Sequence, residues 1–213
     1  GNAYHNAGAT VVEEAALLLL EVIEYIEALL ARGFTIDEAT GAICANVSVG
    51  NNFFMEIAKL RAIRLVFSGI VSAYGGSKDN GNLYLYARTS RVTQSLLNPH
   101  VNILRSITQT LSAIMGGARS IHCAPFDEFC TESNEFSQRV ARNIQLIAQL
   151  ESRLGAVADP AGGSYFVEHL THSIAEGAWE LIGQITDQGG IVNCMRTGMI
   201  QGMLKKRMKE KMT

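Results

Sequence analysis

Cysteine is sparse and unpaired in pattern: Cys44, Cys123, Cys130 and Cys194 offer no C-x-x-C spacing. With no secretory leader either, they read as reduced thiols of a cytosolic protein, and a structural disulfide is not expected. A long uninterrupted apolar run is also missing. The most apolar stretch, "AALLLLEVIEYIEALL", is broken by Glu21, Glu24 and Glu27, which makes it an amphipathic or buried helix and no membrane span. Charge of one sign is lacking as well. A net charge of −2, with basic residues scattered apart from the tail "LKKRMKEKM", leaves no footprint for nucleic acid. Walker, G-x-G-x-x-G and G-x-S-x-G motifs do not occur.

What is present is a globular chain of 213 residues, 47% hydrophobic, enough for one large or two small domains. A first helix is expected from about Gly8 to Arg32, stopped at Gly33. "TIDE" (Thr35 to Glu38) has the form of a capping box opening a short helix. Four short apolar runs, "ICANVSV" (43–49), "LYLYA" (83–87), "RSIHCA" (119–124) and "GAVA" (155–158), suit buried strands. Long helical patterns separate them: "NFFMEIAKLRAIRLVFSGIVSAY", "HVNILRSITQTLSAIM", "NEFSQRVARNIQLIAQLES" and "YFVEHLTHSIAEGAWELIGQI". Strict alternation predicts an α/β fold with a parallel sheet and right-handed crossovers.

Two closures suit such units, an open doubly wound sheet or part of an eight-stranded barrel, and four strands cannot close a barrel. Because the pattern begins at a helix with no strand before it, a fragment is expected. A final Met-rich helix, "IVNCMRTGMIQGMLKKRMKEKM", would pack on a partner or trail into solvent, giving a division into 1–188 and 189–213.

Chemistry in parallel α/β folds collects at the carboxyl ends of the strands, where loops converge and helix N-termini point inward. That rule selects Gly50-Asn51-Asn52, Arg88-Thr89-Ser90-Arg91, His122-Cys123 with Asp127, and "DPAGGSY" (Asp159 to Tyr165). The two glycines of "DPAGGS" would let backbone amides approach an anion or ribose hydroxyl, and the same residues equally make a tight turn with an N-cap. Arg88 and Arg91 could clamp phosphate or carboxylate, or stand solvated. His122, inside an apolar strand, fits a hydrogen-bonded core residue as well as a catalyst. His169 and His172 have no third ligand at suitable spacing, so no metal site is expected. Met195, Met199 and Met203 form a helical stripe suited to packing. At the start, Tyr4-His5 reads either as an active-site pair or as the polar end of a helix.

Five stretches in one order, "AGATVVEEAALLL", "VGNNFFMEIAKLRAIR", "HVNILRSITQTLSAIMGGARSIHCAPFDE", "EFSQRVARNIQLIAQLES" and "DPAGGSYFVEHLT", resemble the methylmalonyl-CoA mutase family of coenzyme B12-dependent carbon-skeleton isomerases. The resemblance implies the second half of a substrate-binding (β/α)8 TIM barrel, about four βα units threaded by acyl-CoA. It implies adenosylcobalamin as cofactor of the complete enzyme, bound by a domain absent from this stretch. A missing barrel half or a mutase partner subunit would complete it, and the chain alone should not catalyse the rearrangement. Two unpaired sheet edges also predict self-association or hetero-oligomers.

The resemblance nominates residues too. His5 and Tyr4 are the catalytic candidates; Arg88, Ser90 and His122 would bind substrate; Asp159, Gly162, Gly163 and Glu168 would face the cofactor. In catalytic subunits three residues separate the Tyr-His pair from Ala-Gly-Ala, whereas here Asn6 alone separates His5 from Ala7-Gly8-Ala9. An ungapped register puts Asn2-Ala3 at the catalytic place and resembles the family's small, non-catalytic subunits; a two-residue deletion restores Tyr4-His5. "SIHCAPFDE" keeps a His like that of catalytic subunits, while Arg88 and Tyr84 stand where those subunits carry Gln and Arg. The competing readings are a structural partner that binds no substrate and an unrelated flavodoxin-like module.

Overall fold

The structure is a computed structural model that describes residues 1–77, 81–130 and 134–212. Its elements run α1 (Asn2–Asn6), α2 (Val11–Leu30), α3 (Ile36–Gly41), β1 (Cys44–Val49), α4 (Phe53–Ala73), β2 (Tyr84–Thr89), α5 (Val101–Met115), β3 (Ser120–His122), α6 (Glu135–Leu146), α7 (Tyr165–Asp187), α8 (Gly190–Arg196) and α9 (Met199–Met212). Two of the helix starts are fixed by reciprocal capping boxes. Thr10 accepts from the Glu13 amide while Glu13 accepts from the Thr10 amide, and Thr35 and Glu38 repeat the pattern.

The three strands are parallel in the order β1-β2-β3, with Val47 beside Ala87 and Arg88 beside both Ser48 and His122. Side chains alternate across the sheet. Ala45, Val47, Val49, Leu85 and Ala87 are buried in a core shared with α2, α4 and α7, where Leu17, Leu19, Ile26, Leu60, Ile63, Phe67 and Ile185 are almost fully enclosed. Burial of each such aliphatic side chain contributes about 1.5–3 kcal/mol. The opposite face is different. Cys44, Asn46 and Tyr84 are exposed, and Tyr86, Arg88 and His122 are half-buried. A parallel sheet normally has both faces covered. Here one face is covered by helices, and the other is polar and accessible except at Ser48, which is buried and hydrogen-bonded to Asn2 of α1.

The fourth expected strand, at 155–158, does not form. Leu154–Ala156 make a short 3-10 turn, and Val157 is extended but outside the sheet. The reason is local and tertiary together: β3 offers only three residues to pair with, and "GAVA" is too small to gain much by burial. Arg153 and Asp159, both in the left-handed region at φ 50° and 45°, bracket the segment with bends.

Other boundaries also differ from expectation. The first long helix starts at Val11, since Thr10 caps it and Gly8 sits at φ 103°, and Tyr4-His5 lie inside the separate helix α1. The helix expected over 134–152 ends as a π turn at Ile147–Glu151. The Met-rich terminal helix is two helices, broken where Gly198 takes φ 80°. Its apolar residues Ile191, Cys194, Ile200 and Leu204 join the same core as the rest of the chain, with Met195, Met199 and Met203 packed against it.

Candidate functional site at the strand ends

At the carboxyl ends of β1 and β2 the fold gathers a polar network. Its base is a buried ion cluster: Lys59 Nζ lies 2.7 Å from Glu14 Oε2 and 2.6 Å from Glu56 Oε2, with Lys59 and Glu14 fully enclosed and Glu56 3% exposed. Three charges in an apolar interior persist only when paired and hydrogen-bonded. Lys59 also donates to the Ser48 carbonyl at 2.6 Å, and Glu14 Oε1 accepts the Ser48 amide at 2.8 Å. The cluster therefore clamps the end of β1 between α2 and α4. Burial alone would raise the Glu14 carboxyl, but Lys59, with a further contribution from His5, outweighs it and holds the group at about 2. Burial opposes the charge on Lys59, and the two carboxylates override it and raise its pKa.

His5 sits on this base. Its Nε2 is 2.7 Å from Ser90 Oγ, and its Nδ1 is 3.4 Å from Glu14 Oε2. Ser90 follows β2 and is fully buried; its amide donates to the Val49 carbonyl and to Gln109 Oε1. Gln109 Nε2 in turn donates to Asn51 at 2.7 Å and Thr93 at 2.8 Å, joining the loops after β1 and β2. Gly50 permits the close approach: a Cβ there would stand 2.9 Å from Glu56 Oε1 and 3.7 Å from the His5 ring.

Tyr4 points elsewhere. Its hydroxyl donates to Glu21 Oε1 at 2.6 Å, and burial, then Glu21, raises its pKa. The neighbours in sequence thus have separate surroundings, His5 at the strand ends and Tyr4 in the core.

Along the uncovered face, Arg88 pairs with Glu128, and His122 is its register neighbour on β3. Burial, with Arg88 next to it, lowers the His122 pKa against the opposing pull of Glu128. Arg91 lies over the Phe129 ring, 4.5 Å from its centroid.

The "DPAGGS" turn forms a separate cluster. Arg61 donates to both oxygens of Asp159, both of Glu168 and to Thr171 Oγ1, at 2.8–3.1 Å, which occupies every guanidinium N–H group. Gly163, at φ 80°, donates its amide to Glu168 Oε1 at 2.9 Å, and a Cβ on Gly162 would meet Asp159 at 2.9 Å. The Arg61 hydrogen bonds and then this amide hold Glu168 at about 2. Of the four residues nominated from the sequence as cofactor-facing, Asp159 and Glu168 tie the turn and α7 to α4 through Arg61, and Gly163 is held in turn by Glu168.

The buried trio Glu14, Lys59 and Glu56 escaped the sequence analysis, as did Gln109. Within α4 a signal existed: Glu56 and Lys59 sit three apart in a run whose neighbours are apolar. The open-face residues Asn46 and Tyr86 were legible as the alternate positions of "CANVSV" and "YLYART". Among the described residues no group of three or more His, Cys, Asp or Glu is placed to hold a metal ion. No described helix is long and apolar enough to cross a membrane.

Comparison with known proteins bears on this arrangement. The family model described as methylmalonyl-CoA mutase matches residues 1–213. The chain is 39% identical over 205 residues to the methylmalonyl-CoA mutase of Rhizobium meliloti (strain 1021), covering 95% of this chain and 29% of that protein. It is 38% identical over 198 residues to the methylmalonyl-CoA mutase small subunit of Porphyromonas gingivalis, covering 92% and 32%. It is 36% identical over 206 residues to the methylmalonyl-CoA mutase of Escherichia coli (strain K12), covering 95% and 29%. The chain spans less than a third of the length of these relatives. Matched along all its residues, it belongs to the methylmalonyl-CoA mutase family.

Proposed function

We propose that the chain is part of the acyl-CoA-binding (β/α)8 barrel of an adenosylcobalamin-dependent mutase, an intramolecular transferase, and is inactive by itself. The observation that carries this reading is the uncovered sheet face. A parallel sheet packed by helices on one side, with the polar residues Asn46, Tyr86, Arg88 and His122 on the other, supports a barrel segment whose inner face meets a ligand, as the family resemblance implies. Arg88 and His122 are the groups proposed to meet an acyl-CoA there, with Ser90 behind them at the strand end. The remaining strands would come from the same subunit or a partner, and the open edges make homo- or hetero-oligomers the expected state. The free thiols suit a cytoplasmic protein.

Adenosylcobalamin would supply radical chemistry to the family's reaction. Asp159 and Glu168 are already engaged by Arg61, which leaves Asp159, Gly162, Gly163 and Glu168 with a turn-holding role that stands without that group. The part proposed for this chain is therefore on the substrate side: binding, orientation and exclusion of water.

A second reading, a non-catalytic accessory subunit, draws support from His5. Both ring nitrogens have protein partners, so the ring has no nitrogen left for a thioester oxygen. Titration calorimetry of the protein with methylmalonyl-CoA separates the two. Heat of binding that is lost in Arg88→Ala supports the substrate-binding role; no heat and no thermal shift would leave only the accessory one.

A further inference from the structure

Ser90, His5 and Glu14 stand in the order of an acyl-transfer triad, hydroxyl to imidazole to carboxylate, yet the surroundings oppose that chemistry. Ser90 is fully buried beneath the ring, and its amide is already shared between the Val49 carbonyl and Gln109. A nucleophile that cannot touch a ligand, beside an amide that cannot serve an oxyanion, does not attack a thioester.

The same contacts dictate something else. Glu14 Oε2 faces His5 Nδ1 while accepting from Lys59, so an unprotonated Nδ1 would set a lone pair against a carboxylate. The proton of the neutral ring belongs on Nδ1, and Nε2 becomes an acceptor for the Ser90 hydroxyl. We propose that Glu14 and Ser90 are positioning residues that fix His5 in its Nδ1–H tautomer, making the imidazole a strut between α1, α2 and the end of β2. A ligand carbonyl entering at the strand ends then receives no hydrogen bond from this ring. The inference rests on reading this end of the sheet as the acyl-CoA side only for that last consequence; the tautomer follows from the protein alone.

Long-range proton–nitrogen NMR on the 15N-histidine-labelled chain reads the tautomer directly, with the His5 signals assigned by their loss in His5→Gln. Wild type should favour Nδ1–H severalfold, because the Glu14 carboxylate stands 3.4 Å from that nitrogen. Glu14→Gln should bring the two tautomers toward equality. Ser90→Ala keeps the buried ion cluster intact, so it tests the idea even if Glu14→Gln fails to fold; it should shift the Nε2 resonance while Nδ1 stays protonated. A wild-type ring protonated mainly on Nε2, or an Nε2 resonance unmoved in Ser90→Ala, would overturn the proposal. So would a proton that moves to Nε2 when methylmalonyl-CoA is added, or free thiol released from that ester by wild type and not by Ser90→Ala. Absence of any calorimetric binding of the ester would instead remove the substrate-binding role and leave the tautomer untouched.

Discussion

Replacing Lys59 by Met tests the buried ion cluster most sharply. The substitution keeps an unbranched chain of similar length but leaves Glu14 and Glu56 enclosed without their shared cation. Breaking a buried pair by removing one partner costs about 3–5 kcal/mol. Proton linkage reports on the same cluster, through Lys59 and also His5. Glu14 is depressed from an ordinary 4.5 to about 2. A shift of that size corresponds to about 3 kcal/mol. A depressed carboxyl contributes its stabilisation above the unfolded value and loses it as pH falls through the folded one. Wild type should therefore weaken from this group between pH 4.5 and about 2. In Lys59→Met, burial is no longer opposed by the lysine, and the Glu14 carboxyl moves upward. Mild acid then neutralises the buried charge, so the variant's deficit should shrink between about pH 7 and pH 5. Urea unfolding of both proteins across that range gives the two numbers needed. A deficit below about 1 kcal/mol at neutral pH, or one independent of pH, would refute the reasoning.

At Gly8, φ is 103° and a Cβ would lie 3.2 Å from the Met208 backbone nitrogen. Gly8→Ala should cost about 1–3 kcal/mol and lower Tm in a thermal melt, while an unchanged Tm would mean that α9 does not pack on this loop. Arg61→Lys removes a fork that serves Asp159 and Glu168 together, which a single ammonium cannot replace. Because those partners are partly exposed, global stability should change little, and the expected effect is faster amide hydrogen exchange at Gly163. Exchange at the wild-type rate would show that the turn holds itself.

Much of the fold was legible because it is local. The helices over Phe53–Ala73, Val101–Met115 and Tyr165–Asp187 repeat apolar residues at helical spacing, and Thr35 with Glu38 marks its cap within four residues. β1 and β2 are compact β-rich runs between helices. The fourth strand was not legible. "GAVA" has strand-like composition, but a strand exists only beside a partner, and the three residues of β3 are too few to hold it. The site divided in the same way. Composition and position pointed to Arg88, Ser90 and His122 at the strand ends, whereas the link between Glu14 and Lys59 spans 45 residues and has no local pattern.

Tyr4-His5 shows the boundary best. The sequence by itself determined the family, the α/β alternation and the nearness of this pair to Ala7-Gly8-Ala9, since each is carried by residues close together along the chain. Only the tertiary structure decided that the two side chains part company, Tyr4 toward Glu21 and His5 toward Ser90 and Glu14. Which way an imidazole points, and whether its nitrogens are free, depends on groups that folding brings together from α2 and the end of β2.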